Sequence, residues 1–187
     1  MKVKFSKGFS LIEIMVAVSI FSVVMVLSTG SILSVLDANR KSQTLRAVMD
    51  NLNSTMESMT RSIRFGQNYH CGPGGAVPIT TPQDCGNNNP SDTMAVLFNG
   101  LTTTYRLNSG RIEKSTNSAD YYPITSPDVT ITNLAFRVFG SAPYSNGVNL
   151  LQPQVIIVVS GFAGLKPTSQ TTFTLETTVS QRLFDFQ

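Results

Sequence analysis

The chain reads as an α+β protein: a long N-terminal α-helix, apolar in its first half and amphipathic in its second, packed on a C-terminal antiparallel β-sheet. Three observations predict this. Residues 9–36 form an apolar run in which Glu13 is the single formal charge. Between Leu45 and Ile63, apolar residues recur at steps of three and four. Beyond residue 93 the hydrophobic period changes to two. Such patterns are produced by a membrane-length helix, an amphipathic helix and half-buried strands, in that order.

The apolar run comes first. About 20 apolar residues suffice to cross a bilayer as a helix, and this run is longer. Lys2, Lys4 and Lys7 precede Gly8. A basic end favours the cytoplasmic side, so the rest of the chain is expected outside the cytoplasm. An ordinary secretory signal peptide has a shorter apolar core without a carboxylate in it. A plain signal anchor is the other simple reading. Glu13 fits neither. A carboxylate near the start of a span costs on the order of 2.5–3.5 kcal/mol, which usually marks a functional contact. Suppose the chain is cut after Gly8. Phe9 then carries a new α-ammonium, one helical turn from Glu13. Two opposite charges in lipid need each other, within one chain or between two.

Gly8-Phe9-Ser10-Leu11-Ile12-Glu13, behind a short basic leader and ahead of an apolar run, resembles the prepilin processing motif of type IV pilins and type II secretion pseudopilins. The resemblance implies cleavage between Gly8 and Phe9 by an inner-membrane prepilin peptidase, with N-methylation of Phe9. It also implies that Glu13 meets the N-terminal amine of a neighbouring subunit during assembly. The close match covers roughly the first 30 residues, and the remainder matches in general plan. The pilin-like plan that follows is a prepilin leader at 1–8, a transmembrane and filament-core helix at 9–36, and an amphipathic helical half at 37–65. A disulfide-bearing loop at 66–92 and an antiparallel β domain at 93–187 complete it.

Composition agrees with a folded, exported domain. Aromatic and β-branched residues are plentiful and charge is low. The formal net charge of +3 resides in the three leader lysines, and beyond them eleven basic residues balance eleven acidic ones. Nucleic acid is therefore not an expected partner. Arg40, Lys41 and Arg46 cluster after the span, where a membrane surface or a neighbour suits them. The two cysteines, Cys71 and Cys85, both lie beyond the span. An even count in an exported chain reads as one disulfide. Closing a loop of about 15 residues is worth about 3 kcal/mol in the chain-entropy picture.

In residues 35–65 the apolar stripe is Leu45, Val48, Met49, Leu52, Met56, Met59 and Ile63. Glu57 and Arg61 are spaced for a favourable i, i+4 pair. No proline interrupts 9–65, a stretch of about 85 Å if helical throughout. Gly30, flanked by Ser28, Thr29 and Ser31, either bends the helix or allows close helix packing. Residues 66–92 are rich in glycine, proline and asparagine and read as an irregular loop. His70 reads as a plain loop histidine, because further ligands at metal spacing are absent.

Strands are expected at Thr93–Asn99 and Thr102–Asn108, joined by a turn at Gly100. A turn at Asn108–Gly110 leads into Arg111–Ser115. Val129–Phe139 alternates with an irregularity before Leu134. Gln154–Ser160 is nearly continuous in apolar residues, as in a buried central strand, and Thr171–Arg182 alternates again. Strand order is not legible.

No catalytic constellation, cofactor motif or metal set is legible, and enzymatic activity is not expected. One histidine supports no Ser/His/Asp set, and the carboxylates are scattered and read as solvated. Asp84, Asn87–Asn89, Ser91 and Asp92 offer oxygens, but without the spacing of an EF-hand. The expected function is a structural subunit of a pilus or pseudopilus, a minor one by its loop-rich layout. Its partners are the prepilin peptidase, other pilin or pseudopilin subunits and the inner membrane. It would start single-pass in that membrane and end in a periplasmic or cell-surface filament. The alternatives are a membrane-tethered binding or enzymatic domain, a filament-tip adhesin and a DNA-uptake subunit.

Overall fold

The computed structural model describes residues 8–73, 77–86, 88–143, 151–164 and 170–182. The chain divides into two compact units, Met1–Gln43 and Thr44–Gln187. Helix α1 spans Leu11–Arg64 and contributes to both. Eight strands follow: β1 (Gln67–Cys71), β2 (Thr93–Phe98), β3 (Leu101–Asn108), β4 (Arg111–Thr116), β5 (Tyr122–Pro123), β6 (Val129–Phe139), β7 (Gln154–Ala163) and β8 (Thr171–Ser180).

In the first unit the helix is apolar on every side and uncovered. Its large apolar side chains, from Leu11 to Leu36, are exposed. It is long and apolar enough to cross a membrane. Its hydroxyls fold back on the helix: Ser19, Ser22, Thr29 and Ser31 each donate to the carbonyl four residues earlier, at 2.8–3.2 Å. Such internal bonding lets polar side chains sit in lipid. α1 continues through Gly30 without interruption, and a Cβ there would meet nothing.

In the second unit α1 presents Val48, Leu52, Met59 and Ile63 to the core, with Met49 and Met56 packed at its margin. Two polar residues share this buried face. Thr55 donates to the Ile124 carbonyl at 2.9 Å, and Ser62 to that of Ser58 at 3.1 Å. Asn51 accepts from the Ser126 amide at 2.9 Å. The helix ends at Arg64, and at Gly66 a Cβ would lie 2.6 Å from the Ser62 carbonyl oxygen. That close approach lets the chain leave the helix straight into β1.

The sheet is two sheets. β1 to β5 form an antiparallel meander in chain order, and β6, β7 and β8 form a second antiparallel sheet with β7 central. Segment 66–92 is therefore not loop throughout. It opens with β1, which pairs with β2, and its far end makes isolated antiparallel bridges from Cys85 to Val138 and from Ser91 to Phe136. His70 accordingly sits in a strand and is buried, its Nδ1 2.9 Å from the Thr81 carbonyl oxygen. Cys71 and Cys85 are bridged, with Cα atoms 5.7 Å apart.

Both two-residue turns, Asn99-Gly100 and Ser109-Gly110, have positive φ at both positions, the geometry that matches strand twist in tight hairpins. The irregularity in β6 is a register shift between Ile131 and Asn133. Gly161 on β7 faces it, and a Cβ there would clash with the Thr130 carbonyl oxygen. β7 is buried on one face only. Val155, Ile157 and Val159 enter the core while Ile156 and Val158 stay half-buried, so its apolar run overstates its cover.

Candidate assembly site at the start of the helix

The site is built from Gly8, Phe9, Ser10 and Glu13. Gly8, Phe9 and Ser10 precede the helix, and all four residues are exposed. The Gly8–Phe9 bond thus lies outside regular structure, where a protease can reach it. A Cβ on Gly8 would meet nothing within 4 Å. The fold does not require glycine at this position, so any requirement comes from a partner that handles this bond.

Ser10 is the N-cap of α1, and its carbonyl accepts the first helical bond from the Ile14 amide at 3.3 Å. The Ser10 amide donates to Glu13 Oε2 at 2.9 Å and its hydroxyl to the same oxygen at 3.1 Å. The Glu13 amide approaches Ser10 Oγ at 3.4 Å. This reciprocal arrangement is a capping box. The signal for it, Ser-x-x-Glu before an apolar run, stands in the sequence. A negative charge in the first turn also complements the helix dipole. Among the described residues, Glu13 Oε1 accepts no hydrogen bond, so one carboxylate oxygen stays open to an outside donor.

One expectation changes. A helical Phe9 would stand one turn from Glu13, but Phe9 lies outside the helix because Ser10 caps it. Helical rise therefore does not set the distance between the Phe9 nitrogen and Glu13. The capped turn does.

Elsewhere Asp50, Glu57, Asp120, Asp128 and Glu176 are exposed as they read, and Glu113 is the exception. Glu113 accepts from Arg106 Nε at 2.8 Å and from Asn108 at 3.1 Å. Arg106 also stacks 3.5 Å from the Tyr121 ring centroid. Partial burial acts to raise the Glu113 carboxyl. The Arg106 and Asn108 hydrogen bonds and the Arg106 charge outweigh it and hold the group below its usual range. Asp84 accepts from the Gly140 and Ser141 amides at 3.0 and 2.8 Å, which staples the segment after β6 to the end of the loop. Asn87 lies outside the described residues. No group of three or more metal-ligating side chains occurs among the described residues.

The comparisons address the N-terminal end. Residues 4–29 match the family model described as the prokaryotic N-terminal methylation motif. No curated protein and no solved structure matches the chain. The matched stretch contains Gly8, Phe9, Ser10 and Glu13, and it runs into the uncovered apolar part of α1. The chain carries a prepilin-type N-terminal methylation motif that runs into a long apolar helix followed by antiparallel sheets, a pilin-like arrangement.

Proposed function

We propose that the chain is a structural subunit of a type IV pilus or a type II secretion pseudopilus, and a minor one. Prepilin peptidase cuts it between Gly8 and Phe9, Phe9 is N-methylated, and residues beyond the span stand outside the cytoplasm. The processed helix then enters a filament beside other subunits, with Glu13 meeting the Phe9 amine of a neighbour. No catalysis is assigned to it.

One observation carries this reading. Within an uncovered apolar segment, inside a matched methylation motif, stands a single carboxylate whose Oε1 accepts no hydrogen bond among the described residues. Apolar packing alone does not fix the axial register of smooth helices. A charge pair at low dielectric does, which is the best-attested use of buried ion pairs. The loop-rich second unit supports the minor role.

The test is Glu13→Leu in the full chain, expressed with its own assembly machinery. Sheared filaments should lose the variant, while the exported domain keeps its resistance to protease. Normal incorporation of the Leu variant would remove the assembly role of Glu13, and absence of the unaltered chain from sheared filaments would favour a tethered domain instead.

A further inference from the structure

The two sheets have four outer strands, and three of their edges are closed or cut short. On β6, Val138 bonds both ways with Cys85 and Phe136 both ways with Ser91, at 2.7–3.1 Å, and the Ile131 amide donates to the Gly110 carbonyl at 2.8 Å. On β1, Gln83 accepts from the Cys71 amide at 3.0 Å and donates to the Tyr69 carbonyl at 2.9 Å. β5 is two residues long and ends on a proline. β8 differs from all three. It runs for ten residues without a proline and keeps an unbroken register with β7. Antiparallel alternation fixes which of its backbone groups face outward. Phe136 and Val138 bond away from β7, so Ala135 and Arg137 bond towards it. Carried across β7, the alternation turns Leu175, Thr177 and Val179 towards β7 and Thr174, Glu176 and Thr178 outward. The next residues agree. The Gln181 amide donates to Pro153, and the Arg182 amide donates the other way, to Arg64 at the end of α1. From Thr172 to Ser180, a strip about 27 Å long, the outward amides and carbonyls make no backbone bond among the described residues. Glu176 is the only charged residue of the strand. It is exposed and meets no cation among the described residues.

We infer that the β8 edge receives an extended segment of a different subunit, which pairs with Thr174, Glu176 and Thr178 and sets a lysine or arginine against Glu176. A row of backbone donors and acceptors selects a strand as its occupant. Long open edges invite pairing, and proteins close those they do not use, as this chain does on β1 and β6. Glu176 decides the kind of strand. A second copy, paired antiparallel over the whole strip, would set Glu176 opposite Glu176, and like charges directly opposite are destabilising. A basic residue in that place is stabilising. One side chain thus rejects self-pairing and selects a basic partner. On the core-facing side, Leu175 and Thr177 are half-buried at the edge. The partner's alternate side chains lie against them, where apolar or β-branched residues fit. The inference rests on the filament reading, which places different subunits beside this one.

Amide exchange on the full-length chain tests it. In detergent, the Thr174, Glu176 and Thr178 amides should exchange freely, while those of Leu175, Thr177 and Val179 stay protected by β7. In assembled filaments the first three should become protected as well. Thr178→Pro removes an outward donor and no bond to β7. Glu176→Lys, at an exposed position, turns the charge against the partner. Both variants should keep the unfolding midpoint and lose the new protection. If the proline lowers the midpoint, Glu176→Lys carries the test alone. A benzophenone side chain in place of Thr172 should photocrosslink the filament chain to a different subunit, within a segment that contains lysine or arginine. Glu176→Lys should abolish that adduct. The contact is overturned by amides that stay unprotected in filaments or are already protected in detergent. It is equally overturned by protection or an adduct that survives Glu176→Lys, by an adduct to a second copy, or by an adduct segment without a basic residue. Filaments whose subunits begin at Phe9 but leave these amides exchanging remove this contact alone. A chain neither cut nor assembled removes the filament reading and the contact with it.

Discussion

Ser10 and Glu13 hold each other across the first turn of α1, the serine amide and hydroxyl both donating to Glu13 Oε2 at 2.9 and 3.1 Å. Glu13 thus has a structural task before any neighbour arrives. Its charge and its capping role are separable. Glu13→Gln keeps an oxygen for the cap and removes the charge, and Glu13→Leu removes both. Amide exchange on the detergent-solubilised chain should show the Ser10 and Glu13 amides protected in the Gln variant and exchanging faster in the Leu variant. Neither variant should assemble. Ser10→Ala should fray the same turn, a loss of about 0.5–2 kcal/mol.

Gly66 marks the tightest junction between α1 and the sheet. A Cβ there would meet Val96 Cγ2 and stand 2.6 Å from the Ser62 carbonyl oxygen. One neighbour is backbone, so relief requires movement of the helix end. Gly66→Ala should destabilise the exported domain by about 1–3 kcal/mol. The denaturant midpoint reads it, and Gly8→Ala, whose Cβ meets nothing, should leave that midpoint unchanged.

Two groups make stability depend on pH. Burial pushes the Tyr105 phenol up to about 12, with the Ser62 hydroxyl acting to lower it. A raised acid favours the folded state while neutral. That stability is fully present below the ordinary tyrosine range and lost as pH rises through about 12. The Glu113 carboxyl is held low, so its contribution is present above the ordinary carboxylate range and lost as pH falls through its folded value. Tyr105→Phe should flatten the alkaline limb of a thermal-stability profile, and Glu113→Gln the acid limb. Each should leave the other limb in place.

Cys85 is tied to β6 through paired bonds with Val138, at 3.1 and 2.9 Å, and to β1 through Cys71. Reduction frees a loop of about 15 residues, which costs about 3 kcal/mol in the chain-entropy picture. Thermal unfolding with and without reductant should show that loss. Cys71→Ser with Cys85→Ser should reproduce it without reductant.

The helix and most strands were legible because burial imposes its period on them. Val48, Leu52, Met59 and Ile63 on α1, and Val129, Ile131, Leu134, Phe136 and Val138 on β6, all reach the core. Even the β6 irregularity showed, because a bulge shifts the alternation by one. β1 was hidden. Gln67-Asn68-Tyr69-His70-Cys71 is short and polar, and what makes it a strand is its pairing with β2, a tertiary contact. The division into two sheets is tertiary for the same reason. Arg106, Glu113 and Tyr121 were unreadable as a group because β3, β4 and the chain before β5 bring them together only in the fold. At the candidate site the residues were legible and their local geometry was not, since the capping box moved Phe9 out of the helix.

The central claim is that cutting at Gly8 creates the positive partner of Glu13. Intact-mass and N-terminal analysis of the protein from its native membrane and filaments tests it most directly. The account predicts a chain that begins at Phe9 and carries an N-methyl group on that residue. Filaments built from chains that still carry Lys2, Lys4 and Lys7 would contradict it.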